Sequence, residues 1–501
     1  MIDLRSLRDD PQRFKDGCAS KGISVDIDRL LTLDEQRRTL RHEQQEARAG
    51  QNALAKEVGP RIGTLTGRLK KAHGEERAGL EAEIAQLKAA PAALKDRVRE
   101  LDQRLGGIEP EFNALLLAVP LPPDPDVPVG KTSDDNVELS RWNPDWFDTA
   151  KSFRENKGFD PRSHMELARN LGLVDLERGV RLAGSRSYLL VGDGARLHQA
   201  ILRYAMDFVA ERGFTQITVP VLVREEAMVG TGFLPSGREQ AYMIDESARV
   251  DADVVAISDD SSESYPTESD SSESYPTKSD SSESCPTLFL TGTGEVSLMG
   301  MYAGEILDEA DLPLKLCTVS TCFRREAGAG GKDTAGLYRI HQFDKVEQVV
   351  ICRADEGESR RWHTEMIGMV EQFVRSLELP HRLLQCCTGD LGVKNADMID
   401  LESWMPSRGP AGEDGLPRGA YGETHSASRL YDFQCRRLNM RCRPGGEQGR
   451  GETTFCHSLN NTVAASPRLM IPILEMYQNQ DGSVTVPNVL RPYMGGCERI
   501  G

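Results

Sequence analysis

At 501 residues the chain exceeds one ordinary domain, and 39% hydrophobic residues suffice for a sizeable core, so two globular domains are expected. The opening MIDLRSLRDDPQRF has acidic residues and no apolar h-region, and no uncharged apolar run is long enough for a bilayer, which argues against secretion or membrane insertion and for a cytoplasmic location. The net charge of −17 argues against a polyanion partner, yet residues 250–287 alone hold ten acids against one lysine and leave only −8 to the rest. Eleven cysteines, scattered apart from Cys386 and Cys387 and without CxxC spacing, suit a reducing compartment. Cys435, Cys442, Cys456 and His457 lack finger or ribbon spacing and read as buried thiols rather than a zinc site.

Residues 30–118 are long-helix sequence. Leu80, Ile84, Leu87, Leu94, Val98, Leu101, Leu105 and Ile108 follow alternating steps of four and three, with Pro91 at the missing position, where it should kink the helix. Leu33, Leu40, Ala47, Leu54 and Val58 keep a weaker version of the register, and Gly59, Pro60, Gly63, Gly67 and Gly74 mark a reversal between the two runs. The expectation is an antiparallel helical hairpin whose tip, residues 60–74, holds Arg61, Arg68, Lys70, Lys71 and His73 without an acid. Such a patch suits phosphates, although taken alone it reads first as a solvated basic turn.

The Pro-rich run PLPPDPDVPVG, residues 120–130, reads as a stiff extended spacer. The boundaries expected are therefore a hairpin domain at 1–118, a linker at 119–135 and a second domain at 136–501. In that domain Ile201, Ala205 and Phe208 mark one helix, and Trp362, Met366, Met369, Val370, Phe373 and Leu377 mark another. Strands are expected at 215–219, 288–291, 314–325, 338–352 and 396–403, without βαβ alternation, so the fold class is α+β with a largely antiparallel sheet flanked by helices. From Asp260 the chain reads DSSESYPTES, DSSESYPTKS, DSSESCPT, an acidic ten-residue repeat too poor in apolar residues to order itself; 250–287 is read as a disordered insertion.

Phosphate-loop motifs are absent. EAGAGGKD around Lys332 has Glu326 and Asp333 where a P-loop needs Gly and Ser or Thr, and the GTG triplets lack the third glycine of a dinucleotide fingerprint. Arg324 and Glu326 alternate along an expected strand, which aims a planar cation at an anionic oxygen beside an acid; alone, such a pair is an ordinary surface ion pair.

The longer motifs resolve this. MIDLRSLRDDP, GARLHQAILRYAMDF, VPVLVREEAMVGTGFLP, the TGE triplet, FRREAGAGGKDTAGLYRIHQFDKVE, CTGDLG, DFQCRR, HSLNNT and DGSVTVPNVLRPYMGG stand in order along the chain. Together they resemble the seryl-tRNA synthetases of the common bacterial and organellar type, which are class II aminoacyl-tRNA synthetases. Only the repeat and the glycine-rich stretch 407–420 fall outside the likeness. The resemblance implies ATP-dependent activation of L-serine with Mg2+, then transfer to tRNA(Ser), with tRNA(Sec) expected as a second acceptor. It implies that Arg324 contacts the α-phosphate and the serine carboxylate, Glu326 the adenine amino group, and Phe343 the adenine ring. Arg491, in LRPYMGG, resembles the second ATP-binding arginine. Glu423 and Ser426, in ETHSAS, fall at the positions of ATP and magnesium ligands, although the family usually reads close to EISSCSN there. Thr293, Glu295, Glu347 and Thr462 fall in the serine pocket together with Arg324. The basic tip, with Arg61, Arg68, Lys70 and Lys71, takes the role of the arm that recognises tRNA by backbone and shape. Pro220, in TVPVLV, resembles the first class II motif at the subunit interface and implies a homodimer. Two alternatives stand beside the ligase: an amino-acid:carrier-protein ligase, disfavoured by the complete arm, and a catalytically silent or regulatory tRNA-binding paralogue.

Overall fold

The computed structural model describes residues 1–244, 287–327, 336–412, 415–444 and 452–501. The acidic repeat lies outside the described residues. The chain divides into two compact units, one made of Met1–Val137 with Cys386–Asp397, the other of Glu138–Gln385 with Met398–Gly501.

The first unit is built on two long helices, α1 (Ile27–Leu69) and α2 (Gly74–Ala118). Asp26 caps α1 by accepting from the Arg29 amide at 2.8 Å. The heptad positions form the seam: Leu33, Leu40, Ala47 and Val58 are buried on α1, and Leu80, Ile84, Leu101 and Leu105 on α2. The reversal is tighter than the glycines suggest. α1 runs unbroken through Gly59, Pro60, Gly63 and Gly67, and only residues 70–73 turn the chain before Gly74 at φ 58°. Each glycine costs a helix about 1 kcal/mol. Burying Val58, Leu65, Leu80 and Ile84 returns about 1.5–3 kcal/mol apiece, so packing overrides the local signal. Arg61 and Arg68 therefore lie on the last turns of α1, with Lys70 and Lys71 in the turn itself, and all four are exposed. Pro91 sits inside α2 without ending it.

The Pro-rich segment is packed, not a free spacer. The amides of Leu121 and Asp124 donate to the carbonyls of Val393 and Ala396, both at 2.9 Å, and Val119 and Val127 are buried. Lys21 closes the same region, donating to Gly392 O at 2.9 Å and Asn395 O at 2.6 Å. Burial pulls its pKa down to about 7.

The second unit is an eight-stranded, largely antiparallel sheet. In chain order its strands are β1 (Val137–Trp142), β2 (Thr215–Gln216), β3 (Leu314–Phe323), β4 (Gln342–Cys352), β5 (His381–Gln385), β6 (Asp397–Met405), β7 (Ala420–Tyr431) and β8 (His457–Ser466). In space the order is β1-β5-β6-β7-β8-β4-β3-β2. Helices α3 (Asp193–Ala210) and α4 (Glu356–Ser376) cover one face. Leu197, Ile201, Ala205 and Phe208 of α3 and Trp362, Met366, Val370 and Phe373 of α4 meet Val346, Val350, Leu459 and Val463 of the sheet in the main core. Alternation along β4 then sends Phe343, Lys345 and Glu347 to the opposite face.

A small sheet beside it pairs Leu288–Leu290 with both Leu222–Arg224 and Tyr242–Ile244. Within it Ile244 and Leu288 are direct antiparallel partners, so the chain leaves at Ile244 and returns beside the same residue. No described helix is long and apolar enough to cross a membrane.

Candidate active site

At the end of β3 lies a cleft of about 740 Å³, lined among others by Phe323, Leu290 and Gly292. It adjoins a smaller cavity of about 50 Å³, and the two share Arg324, Glu326, Glu423 and Arg468. Phe343, Lys345, Thr424 and Thr462 line the smaller one.

β3 ends at Phe323, before either member of the expected alternating pair, so Arg324 and Glu326 reach the cleft from the segment after the strand. The Arg324 amide donates to His341 O at 2.9 Å, its Nε to Gly292 O at 3.3 Å, and its guanidinium lies 5.3 Å from the Phe343 ring centroid. Such a contact fixes a cation over an aromatic face and leaves its remaining N–H groups for an anion. Glu326 adopts a left-handed backbone at φ 50°. That conformation costs a non-glycine residue on the order of 1–2 kcal/mol. Arg186 Nη1 holds its carbonyl at 2.9 Å, and Arg339 Nη1 its carboxylate at 3.1 Å.

Below the cleft lies a buried carboxylate network. Glu295 and Glu347 are 1% and 0% exposed, and Asn460 of β8 joins them, its Nδ2 donating to Glu295 Oε2 at 2.8 Å and to Glu347 Oε1 at 3.0 Å. Gln434 donates to Glu295 Oε1 at 2.7 Å and accepts from Ser458 Oγ at 3.0 Å. Lys345 places its ammonium against Glu347 Oε2. Lys345 lines the cavity whereas Glu347 does not, so the lysine stands between that carboxylate and the open space. The Thr293 hydroxyl accepts from the Glu295 amide at 3.3 Å. The glycine of the TGE triplet is required sterically: a Cβ on Gly294 would stand 2.5 Å from Thr318 Cγ2.

Arg468, just past the end of β8, approaches Glu423 Oε1 at 3.5 Å. Burial opposes its charge, but Glu423, Tyr338 and Glu326 outweigh that and hold its pKa above the ordinary arginine value. Glu423 lines both spaces, and its neighbour Thr424 lines the smaller one. Ser428 stands opposite Asn460 across the β7/β8 ladder, so Ser428 and Ser426 share its face, although Ser426 does not line the cleft. The half-exposed Glu423 carboxylate is a hard oxygen donor, of the type that fits magnesium and not a softer metal.

The structure thus gathers Arg324, Glu326, Phe343, Glu423 and Thr462 around the cleft, buries Thr293, Glu295 and Glu347 beside it, and places Arg491 elsewhere. Arg491 Nε donates to Val486 O at 3.1 Å and its Nη1 lies 3.3 Å from Glu498. The arginines that join Arg324 along the cleft are Arg468 and Arg339. Lys345, Asn460 and Gln434 are further polar members that sequence reasoning passed over; the two-residue spacing of Lys345 from Glu347 was the available signal. The thiols of Cys317, Cys322, Cys352, Cys435 and Cys456 are pushed up by burial, so none of them is an activated nucleophile.

An antiparallel sheet backed by helices on one face, with arginines and an aromatic ring over the other, defines a class II aminoacyl-tRNA synthetase core. The family described as "tRNA synthetase class II core domain (G, H, P, S and T)" matches residues 275–477, and "Seryl-tRNA synthetase N-terminal domain" matches residues 1–122. The serine–tRNA ligase of Deinococcus radiodurans is 37% identical over 503 residues, covering 100% of this chain and 99% of its own. That of Thermomicrobium roseum is also 37% identical, with 100% and 95% covered. Among solved structures, the seryl-tRNA synthetase of Pyrococcus horikoshii complexed with ATP superimposes with a TM-score of 0.72 at 32% identity, covering 100% of this chain and 99% of that one. The cytoplasmic serine–tRNA ligase of Naegleria fowleri in complex with AMP gives 0.73 at 27% identity, covering 100% and 98%. The chain belongs to the seryl-tRNA synthetase family.

Proposed function

We propose that the chain is an ATP-dependent serine–tRNA ligase. Its family membership supports this, and the observation that carries it is the pairing of an arginine-lined cleft with two buried carboxylates joined by Asn460. In the first step the serine carboxylate attacks the ATP α-phosphate and expels pyrophosphate; in the second the terminal ribose hydroxyl of the tRNA attacks the seryl carbonyl and expels AMP. Both steps need positioning and charge neutralisation more than a protein nucleophile.

Arg324 orients the α-phosphate and the serine carboxylate, Phe343 offers its ring to adenine, and Glu326 accepts from the adenine amino group. Arg468 neutralises charge on the phosphate chain from the opposite wall. Glu347, with Glu295, Thr293 and Thr462 around it, receives the ammonium and hydroxyl of serine, after Lys345 gives up its contact. A buried polar pocket rejects alanine because its groups would be left unpaired. Glu423 and Ser426 would hold magnesium, which supplies further neutralisation of the phosphates.

The exposed Arg61, Arg68, Lys70 and Lys71 bind the backbone of tRNA(Ser), and of tRNA(Sec) by the same means. A second copy of the chain covers the partly apolar groove around Pro220, where Leu222 and Met301 are 43% and 46% exposed.

Purified protein is expected to catalyse serine-dependent exchange of pyrophosphate into ATP, and Arg324→Ala to abolish it. A folded protein without exchange activity would overturn this reading.

A further inference from the structure

Under the nucleotide side of the cleft, on the face of the sheet covered by α3, lies a second polar cluster that touches no proposed ligand. Asp344 is the direct register partner of Thr321 on β3 and of Ser466 on β8, so three polar side chains form one row across three adjacent strands. His198 reaches into that row from α3. Its Nδ1 is 2.8 Å from Ser466 Oγ and its Nε2 is 2.9 Å from Asp344 Oδ2, while Thr321 Oγ1 donates to Asp344 Oδ1 at 2.7 Å. His198 and Ser466 are 5% and 0% exposed. Both ring nitrogens and both carboxylate oxygens have partners, so the cluster is closed and its geometry over-determined.

Its position gives it a use. β8 ends at Ser466, whereas the β3/β4 ladder runs on through Cys322–Phe343 and Phe323–Gln342 to the Arg324 amide on His341 O. Arg324 follows Thr321 by three residues, and Arg468 follows Ser466 by two. Phe343 and Lys345 flank Asp344 on the cleft side. The row is therefore the last tie that spans β3, β4 and β8 together before Arg324, Arg468 and the aromatic ring. The serine side has its own tie, Asn460 with Gln434, further along the strands.

We propose that His198 is a positioning residue for amino-acid activation: by bracing Thr321, Asp344 and Ser466 from beneath, it sets the separation of Arg324, Phe343 and Arg468 around the nucleotide. This rests on the ligase reading. A misplacement of about 1 Å at such a site costs up to roughly 100-fold in rate, whereas losing a brace that serves folding alone moves both substrates equally or neither.

The test is pyrophosphate exchange by the full chain, with ATP and serine each varied, alongside thermal melting. His198→Leu is expected to lower kcat/KM for ATP by roughly 10- to 100-fold with the KM for serine within about twofold. His198→Gln, which retains a donor toward Asp344, should recover part of the loss. Ser466→Ala, which deletes one hydroxyl, should show a smaller loss of the same pattern, and carries the test if His198→Leu does not fold. Equal changes for both substrates that track the melting temperature, or no change in any variant, would overturn the proposal. Absence of exchange in the parent protein would instead overturn the ligase reading.

Discussion

His425 is 1% exposed on the helix-covered face of β7, its ring centroid 6.4 Å from that of Phe373. Nδ1 lies 2.8 Å from Thr424 Oγ1. Burial first, then the nearby His381 and Arg468, push its pKa down to about 3 from an ordinary 6.5, with the Val463 backbone opposing slightly. Because the folded pKa is depressed, the unfolded chain binds the proton that the native protein refuses. Stability is therefore full above about pH 6.5 and falls as pH drops toward 3. Between about pH 7.5 and 5 this single group should remove about 2 kcal/mol. His425→Leu abolishes that slope at the cost of one hydrogen bond, about 1 kcal/mol. The two stability curves should cross: the variant slightly weaker at neutral pH and stronger by about 1 kcal/mol near pH 5. Urea unfolding followed by tryptophan fluorescence at several pH values measures both. His381 and His457, whose pKa values burial also lowers, stay in both proteins and cancel. Parallel curves would show that His425 takes up its proton in the native state.

Replacing Arg68, Lys70 and Lys71 together by alanine should abolish tRNA charging while leaving pyrophosphate exchange intact, and the salt dependence of tRNA binding should flatten by about two units in the log–log slope. Loss of exchange to the same degree would refute the division of labour between the tip and the cleft. Asn460→Ala leaves Glu295 Oε2 and Glu347 Oε1 without their shared donor. The KM for serine should rise about tenfold or more with that for ATP little changed. An unaltered KM for serine would place the amino-acid site elsewhere.

The helical hairpin was legible because a heptad is a local pattern and the seam it specifies is the one that packs. Its turn was misread for the reason the seam succeeds: Val58 and Leu65 draw Gly59 through Gly67 into the helix, and no short window registers that. β7 and β8 lack a simple pattern because they are buried on both faces, with Asn461 turned to Met366 of α4 and Asn460 to the carboxylates. Arg324, Phe343 and Glu347 share a contiguous motif, and the structure brings them to one region. The place of Arg468 in the cleft has no local signal, because it depends on where β8 ends. Asn460 and Gln434 matter through partners more than a hundred residues away, a distance that spacing rules do not cover.

The pairing of Ile244 with Leu288 separates the length of the intervening chain from the architecture. Closing a longer loop between fixed neighbours costs only about 0.6 kcal/mol per doubling. An added or deleted decapeptide such as DSSESYPTES is therefore expected to leave that strand register unchanged. The number of copies is then an evolutionary variable on which selection for folding has little hold, and close relatives should differ there before they differ in the sheet. The same junction is a natural place to graft a foreign peptide.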